Sequence, residues 1–440
     1  IFVLTKWKSN KDLTHFVEDV DLPSDALQLF WVTGMLRNGE EALAGLNLHV
    51  PQDVLATVVK RDKKFKEHHS ATGWGDAAVI VPWTVWTCFG DRKLLAEQYP
   101  GMKAWVDCIH GHTGDSLVWN SGFHFGDWVA LDAKEGSYFG ATPNDLTATA
   151  FFAHSTRLLA ESAAVLGKAA DEKHYRALYG RIVAAFQAEF QSPRGRLAAR
   201  TQTAHILALI FDLVPETARP RTVRTQLDLQ KEHGGHLVTG FLGTPYFCEA
   251  LSRNGQQAAA WNLLLKEDFP SWLYQVKAGA TTIWEHWDGI RPNGSMWSVK
   301  MNSFNHYAYG SIGEWLYRVA AGLDFDPAAP AGQILTFHPH PGGGLEHAKA
   351  SCLTPVGRAA IAWKIAAGTM TVEVEVPANA RANLVLPGAV ALDGKAGGPV
   401  FRKVPEGLAG ELGSGTYRFA YAVPEGFGAA LPGDGEPPMV

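Results

Sequence analysis

The sequence predicts a mainly α protein in which a helical domain is followed by a small β-sandwich. From about residue 75 onward, apolar residues recur at helical spacing, and glycine- and aromatic-rich loops separate the segments. A Pro/Ala/Gly-rich linker covers 325–332, and beyond it apolar and polar residues alternate with period two. These three observations predict an N-terminal segment of helical character at 1–70, a helical domain at 71–325 and a β-sandwich domain at 326–440.

The clearest helical signal begins at Thr142, an N-cap residue that is followed by proline at the first helical position and aspartate at the third. Apolar residues recur from there until Gly167 ends the run. A second helix follows at His174–Phe190 with one apolar stripe. Because the connection is short, the two helices form an antiparallel hairpin. Similar segments lie at Leu94–His110, Thr203–Phe211, Gln256–Leu265 and Ser303–Leu323.

Period-two alternation is cleanest over Met370–Val376, which Pro377 terminates. Ala382–Pro387 and Gly415–Tyr421 have the same character. Several short strands with turn residues between them indicate a small sandwich.

Composition narrows the possible partners. The chain has 440 residues, a formal net charge of −5 and no basic stripe, so the sequence predicts no nucleic-acid partner. No apolar run approaches the roughly eighteen residues of a membrane helix, which predicts no membrane partner. The absence of a signal-peptide pattern favours the cytoplasm, and the missing initiator methionine is what a piece of a longer chain would show. The four cysteines form no metal-type or disulfide pattern.

Fifteen tryptophans are many for this length, and several lie beside polar residues in predicted loops. The stretch Ala280–Gly289, ATTIWEHWDG, places Glu285 between Trp284 and Trp287. One interpretation is a buried charge that pairs with Lys277 or with the adjacent histidine. The other is a carboxylate that faces a sugar, because sugars stack on indole rings and ionised groups are rarely left against apolar surface for stability alone.

Hydrolysis of a glycosidic bond requires two carboxyl groups on opposite faces of the sugar. Acids within aromatic, glycine-bearing loops occur at Gly73–Asp76, Phe123–Asp132 and Trp284–Asp288. The stretch Met301–Tyr307 adds two amides and a histidine that suit sugar hydroxyls. The sequence therefore contains the residue types of a glycosidase site.

Six motifs, in order between about residues 71 and 325, resemble the catalytic domain of bacterial α-L-rhamnosidases, glycoside hydrolase family 78: GWGDAAVIVPW, FGDWVALD, TPNDLTATAFFAHS, GHLVTGFLGTPY, ATTIWEHWDG and MNSFNHYAYGSIGEWLYR. The later stretch PGGGLEHAKASCLTPVGRAAIAW resembles the family's C-terminal domain. The resemblance implies an (α/α)6 barrel, terminal α-L-rhamnose of small glycosides or oligosaccharides as substrate, and inversion without an organic cofactor. No metal is expected.

The resemblance also implies roles for individual residues. Glu285 matches the family's general base, Trp74 and Trp128 match tryptophans that wall the rhamnose pocket, and His306 matches a histidine that hydrogen-bonds the sugar. Asp127 is a further catalytic candidate, and the other candidate substrate-binding residues are Asp76, Trp284, Trp287 and Asn302.

Structural alternatives stay open for several of these residues. The two aspartates, Asp76 and Asp127, would serve equally well as helix caps or as acceptors for loop amides. The tryptophans would serve as core packing. His306 would hydrogen-bond the start of a helix.

The family's general acid lies in an upstream motif, approximately DCPQRERLGWTGD, and the first seventy residues show no counterpart of it. The run DKKFKE, residues 62–67, copies its acid–x4–acid spacing, which makes Glu67 a candidate acid. Three alternatives to an active rhamnosidase therefore remain: a rhamnose-binding relic, a truncated chain, or another (α/α)6 sugar hydrolase or lyase.

Overall fold

The computed structural model describes residues 71–298, 301–326, 329–392 and 399–429, in which a helical domain precedes a β-sandwich. The α-helices are α1 Ala77–Phe89, α2 Arg92–Thr113, α3 Asn144–Leu166, α4 Ala169–Phe190, α5 Gln202–Ile210, α6 Arg219–Glu232, α7 Thr244–Arg253, α8 Gln257–Leu264, α9 Trp272–Lys277 and α10 Ile312–Trp315. Short 3-10 turns at Gly114–Ser116 and Ala308–Ser311 and a π-helical turn at Leu316–Ala321 complete the helical domain.

The helices form two layers of antiparallel hairpins. Helices α1, α3, α5 and α7 contact one another in succession, and α2, α4, α6 and α8 each pack against the outside of the preceding helix. Burial agrees with this order, because all nine residues of α5 are buried whereas α4 buries only the stripe Tyr175, Leu178, Ile182, Phe186 and Phe190. The predicted hairpins and the predicted stripe of α4 are confirmed.

Alternation between the layers sets the position of the loops. Because each inner helix is followed by an antiparallel outer helix, the inner helices run in the same direction. The loops that precede α1, α3, α5, α7 and α10 therefore gather at one end of the domain. Those loops contain the predicted site residues that the structure describes.

The segment Ser303–Leu323, predicted as one helix, is not helical over its first residues. Residues 303–306 instead run beside the chain at 283–285, where the Glu285 amide donates to the Ser303 carbonyl at 2.8 Å and the His306 amide donates to the Ile283 carbonyl at 2.9 Å. The helical turns begin only at Ala308. These backbone hydrogen bonds to a distant part of the chain take the place of a local helical turn.

The β-sandwich consists of a five-stranded sheet in the order β1-β2-β6-β8-β7 and a four-stranded sheet in the order β3-β4-β5-β9. Its core contains Trp363, Val372, Leu384 and Leu408. The strands are β1 Leu323–Phe325, β2 Ile334–Phe337, β3 His347–Thr354, β4 Gly357–Ala366, β5 Thr369–Val376, β6 Arg381–Pro387, β7 Phe401–Val404, β8 Gly407–Leu412 and β9 Gly415–Ala422. The three predicted strands correspond to β5, β6 and β9, which confirms a mainly α protein with a C-terminal sandwich.

The two domains meet through buried contacts. The Trp261 indole donates to the His340 carbonyl at 3.1 Å, and the Trp363 indole donates to the Ala320 carbonyl at 2.9 Å. Strand β1 follows the last helical turn directly and pairs antiparallel with β2, so the sandwich begins before the Pro/Ala/Gly linker. In the described ranges, no helix combines the length and the apolar character that crossing a bilayer requires.

Candidate active site

Four loops at the N-terminal end of the inner helices form the candidate site: 72–76 before α1, 123–141 before α3, 237–243 before α7 and 280–307 before α10. We call them the pocket loops. They contact one another directly, since the Phe241 amide donates to the Trp128 carbonyl at 3.0 Å. Gly73, at φ 79°, lies so close to Leu242 that an added Cβ would come within 2.4 Å of its side chain. Glycine at that position permits both the left-handed backbone and the close approach.

Glu285 lies half-buried in the pocket loop 280–307. Its Oε2 accepts a hydrogen bond from the Ser303 amide at 2.8 Å, and its own amide donates to the Ser303 carbonyl at 2.8 Å. Among the described residues, no group donates to Oε1. One carboxylate oxygen is thus fixed by backbone, and the other is available to a water molecule.

Neither predicted ion-pair partner holds Glu285. Lys277 pairs with Glu267 instead. Burial lowers the pKa of His286 to about 4, so this imidazole is neutral near pH 7. The buried-ion-pair interpretation of Glu285 is therefore not supported, because Lys277 pairs elsewhere and His286 is neutral.

His306 lies close to Glu285. Its ring stacks on Phe241 with centroids 4.7 Å apart, and its Nδ1 accepts a hydrogen bond from the Ala308 amide at 3.3 Å. Burial lowers the pKa of His306, although the charge of Glu285 opposes that shift. Because Nδ1 acts as an acceptor, the ring carries a proton on Nε2. The alternative of hydrogen bonding at a helix start is therefore present.

Trp74 and Trp128 are half-buried, as pocket walls require. The Trp74 ring lies 4.8 Å from Phe125, and Trp128 stacks on Tyr138 at 5.1 Å with 28° between their planes. Both indoles keep an exposed portion within the pocket loops. Their contact with a sugar stays a prediction.

Trp284 and Trp287 are 3% and 0% exposed. Trp284 packs edge-on against Phe304 at 5.3 Å, and Trp287 stacks on Tyr309 at 4.0 Å. An indole without exposed surface has no face to offer a ligand. The structure favours the core-packing alternative for both, in which they hold the loop that carries Glu285.

Asp76 is completely buried at the start of α1. Its carboxylate accepts hydrogen bonds from the Trp105 indole at 2.9 Å, the Ser155 hydroxyl at 2.6 Å and the Gly73 amide at 2.8 Å. Burial raises the pKa of Asp76 despite these donors. This geometry favours the loop-holding alternative over substrate contact.

Asp127 is 1% exposed and anchors the loop 237–243. Its Oδ1 accepts from the amides of Leu242 and Gly243 at 2.8 and 3.1 Å, and its Oδ2 accepts from the amide of Gly240 at 2.8 Å and from the Thr203 hydroxyl. Burial raises the pKa of Asp127 to about 6. Because donors occupy both oxygens, the structure favours the loop-amide alternative over the predicted catalytic role.

The remaining candidates have local partners. The Asn302 amide donates to the Gly289 carbonyl at 2.8 Å, and its Oδ1 is buried without a partner. Asp132 accepts from the Ala141 amide at 2.9 Å, which gives its carboxylate a structural role within the loop. Glu67 lies outside the described residues. Within the described ranges, no three His, Cys, Asp or Glu side chains cluster as a metal site would require.

Sequence reasoning missed four residues that shape the site. Phe241 and Ser303 lie inside the motifs GHLVTGFLGTPY and MNSFNHYAYGSIGEWLYR, so the motifs carried a signal for them. Tyr138 and Trp297 lie outside every motif, and no local pattern marked them. Their ring centroids are 5.3 Å apart, which joins two pocket loops across 159 residues.

Because His286 is buried as a neutral imidazole, we expect the folded protein to lose stability as the pH falls. Its pKa is about 4 in the folded protein and near 6.5 when unfolded, so the unfolded state binds the proton first as pH falls. Its contribution to stability is complete above pH 6.5 and is lost progressively towards pH 4. His286→Phe keeps a ring against Trp297 and removes this titration.

Between pH 7 and pH 5, we expect the wild type to lose about 2 kcal/mol more unfolding free energy than His286→Phe does. Urea unfolding at both pH values measures this. The same loss in both proteins would contradict the assignment of a buried neutral imidazole.

Comparison with known proteins gives a consistent result. The model of the bacterial α-L-rhamnosidase six-hairpin glycosidase domain matches residues 34–320, and the model of the bacterial α-L-rhamnosidase C-terminal domain matches residues 322–398. A curated α-L-rhamnosidase of Formosa agariphila is 39% identical over 72% of this chain and 34% of its own length. The six-hairpin description confirms the predicted (α/α)6 barrel.

Two solved structures are also similar. One is a Streptomyces avermitilis α-L-rhamnosidase in complex with L-rhamnose, with 37% identity, a TM-score of 0.74, and coverage of 80% of this chain and 33% of the other. The second is a native α-L-rhamnosidase of Aspergillus terreus, with 35% identity, a TM-score of 0.73, and coverage of 81% and 40%. The chain spans about a third of the length of the curated relatives it matches.

Proposed function

The chain belongs to the bacterial α-L-rhamnosidase family, and we propose that it hydrolyses terminal, non-reducing α-L-rhamnose from small glycosides or oligosaccharides with inversion at the anomeric carbon. The observation that carries the proposal is the carboxylate of Glu285. One of its oxygens is held by the Ser303 amide, and the other accepts no hydrogen bond from the described residues.

Each site residue has a defined part in this reaction. Oε1 of Glu285 takes a proton from a water molecule, whose oxygen then attacks the anomeric carbon as the bond to the leaving oxygen breaks. His306 offers Nε2–H to a sugar hydroxyl. Trp74 and Trp128 provide apolar faces for the ring and the methyl group of rhamnose.

The second carboxyl group protonates the leaving oxygen from the opposite side. Inversion requires about 6.5–9.5 Å between the two carboxyl groups, which leaves room for the water. The saturated carboxylates of Asp76 and Asp127 do not suit this role, because all their oxygens already accept hydrogen bonds. Glu67 stays the predicted candidate.

A panel of nitrophenyl glycosides tests the activity. We expect release of nitrophenol from 4-nitrophenyl α-L-rhamnoside at a rate at least 100-fold above that from the α-D-glucoside, because the apolar walls favour the rhamnose methyl group over a hydroxymethyl group. Proton NMR of the first turnovers should show β-rhamnose before mutarotation. Faster cleavage of another glycoside would indicate a different six-hairpin activity, and initial α-rhamnose would exclude inversion.

A second candidate function is rhamnose binding without hydrolysis. The saturation of Asp76 and Asp127 favours it, since it leaves Glu285 without an assigned acid among the described residues. Calorimetry with L-rhamnose separates the two functions when it is combined with the nitrophenol assay. Binding with no nitrophenol release would support the binding protein over the hydrolase.

A further inference from the structure

Several polar side-chain atoms in the pocket loop 280–307 and in the turn that follows it are buried and have no hydrogen-bond partner among the described residues. Two of them are donors, the indole Nε1–H of Trp287 and the hydroxyl group of Tyr309. Two others are acceptors, Oδ1 of Asp288 and Oδ1 of Asn302. A buried polar atom without a partner lowers stability, so native proteins pair nearly all such atoms with protein groups or with water.

Direct contacts bring these four residues together. The rings of Trp287 and Tyr309 stack with their centroids 4.0 Å apart and 16° between their planes. Asp288 follows Trp287 in the chain, and the Asn302 amide donates to the carbonyl of the next residue, Gly289, at 2.8 Å. Both stacked side chains are 0% exposed, so bulk solvent does not reach the two donors. We call Trp287, Asp288, Asn302 and Tyr309 the Tyr309 cluster.

The hydroxyl group of Tyr309 lies near three carboxylates. Burial raises the pKa of Tyr309, and the charges of Asp127, Glu285 and Asp288 raise it further. Asp127 does not need this donor, because its oxygens already accept four hydrogen bonds. Oδ2 of Asp288 lies 3.5 Å from the Arg291 guanidinium, whereas its buried Oδ1 has no donor among the described residues. Asp288 is therefore the buried acceptor that matches the Tyr309 hydroxyl.

Water suits the Tyr309 cluster as a ligand. A buried water molecule typically makes about three hydrogen bonds to protein groups that otherwise lack a partner. It accepts through its oxygen and donates through its hydrogens, and the cluster contains both donors and acceptors. We propose that buried water joins the Tyr309 hydroxyl to the Asp288 carboxylate, with Trp287 and Asn302 as further ligands, and that this link positions Glu285.

The link acts on Glu285 through the backbone. Asp288 lies shortly after Glu285 in the same loop, and Tyr309 lies in the 3-10 turn that precedes α10. The Tyr309 carbonyl accepts from the Trp272 indole at 2.8 Å, which attaches this turn to α9. Joining Asp288 to the attached turn holds the loop, and misplacing a catalytic group by about 1 Å costs up to about 100-fold in rate. Tyr309 is fully buried, so it is a positioning residue.

The kinetic part of this inference rests on the proposed function, and a crystal structure tests the water independently of activity. At high resolution, we expect a water oxygen about 2.6–3.2 Å from both Tyr309 Oη and Asp288 Oδ1. Tyr309→Phe should remove that water and lower the melting temperature by about 1–2 °C. It should also lower kcat for 4-nitrophenyl α-L-rhamnoside by about 10-fold and leave KM within about twofold. Removing a hydroxyl group without a partner would instead raise the melting temperature.

A double-mutant cycle tests whether Tyr309 and Asp288 act through one link. In an Asp288→Asn background, Tyr309→Phe should change kcat by less than about twofold, because the link is already broken. Tyr317→Phe is the matched control, since Tyr317 is 40% exposed in the π-helical turn. It should keep the melting temperature and the kcat of the wild type.

Three results would overturn the inference and leave the proposed function intact: no water between Tyr309 and Asp288 in the crystal, a Tyr309→Phe protein with the kcat of the wild type, or an equal loss of kcat with and without Asp288→Asn. If the wild type cleaves no rhamnoside, the proposed function fails, and the positioning of Glu285 fails with it. The crystal and the melting temperatures still decide whether the cluster binds water.

Discussion

Replacing Glu285 with glutamine is expected to lower kcat for 4-nitrophenyl α-L-rhamnoside by 10²- to 10⁴-fold, the range of general-base catalysis. The amide keeps the size of the side chain and the acceptor for the Ser303 amide, but it cannot take a proton from water. Rhamnose affinity should change by less than about threefold, because Trp74, Trp128 and His306 are untouched. Steady-state kinetics and calorimetry measure the two quantities.

Glu411→Gln is the control, since Glu411 lies exposed on β8 in the sandwich, far along the chain from the pocket loops. It should keep wild-type kcat. A Glu285→Gln protein with kcat within a few-fold of the wild type would remove Glu285 from the role of base.

The second large effect is expected at Asp127. Asparagine retains one oxygen, so an amide NH₂ would face two of the four donors from Thr203, Gly240, Leu242 and Gly243. Removing the charged acceptor leaves buried donors without a partner, which lowers the unfolding free energy by about 3–5 kcal/mol. We expect the melting temperature to fall by about 5 °C, and rhamnose to bind more weakly because Phe241 loses its support beside His306.

Differential scanning calorimetry measures that loss, and Asp115→Asn provides the comparison because Asp115 is exposed in the short turn after α2. Asp115→Asn should melt within about 1 °C of the wild type. If Asp127→Asn has the melting temperature of the wild type but loses as much activity as Glu285→Gln, the result would support the catalytic role that the sequence predicted for Asp127.

The sequence predicted those elements whose signals are local. Helix α3 is marked by its Thr142-Pro143 start and its Gly167 end, and the structure places it at Asn144–Leu166. Strand β5 shows its alternation directly, because one face is buried and the other is exposed. In both, a few consecutive residues specify the element without any distant partner.

The site depends on distant partners, and there local signals were insufficient. Asp127 was a candidate catalytic residue because nothing in its own motif shows the groups that donate hydrogen bonds to its carboxylate. Those donors lie up to 116 residues away along the chain, in another pocket loop. Trp284 and Trp287 lie close to Glu285 in the sequence, but in the folded protein both indole rings are buried in the core. A short motif shows which residues are near one another along the chain, and it does not show which way each side chain faces.

Azide rescue of a Glu285→Ala protein tests the role of Glu285 most directly. Azide is a nucleophile that needs no general base, and the alanine leaves space for it where the carboxylate stood. With 2,4-dinitrophenyl α-L-rhamnoside, whose leaving group needs little protonation, we expect the depressed rate to rise with azide concentration and β-L-rhamnosyl azide to form. A Glu285→Ala protein that hydrolyses this substrate at the wild-type rate, or a depressed rate that azide leaves unchanged, would contradict Glu285 as the water-activating base.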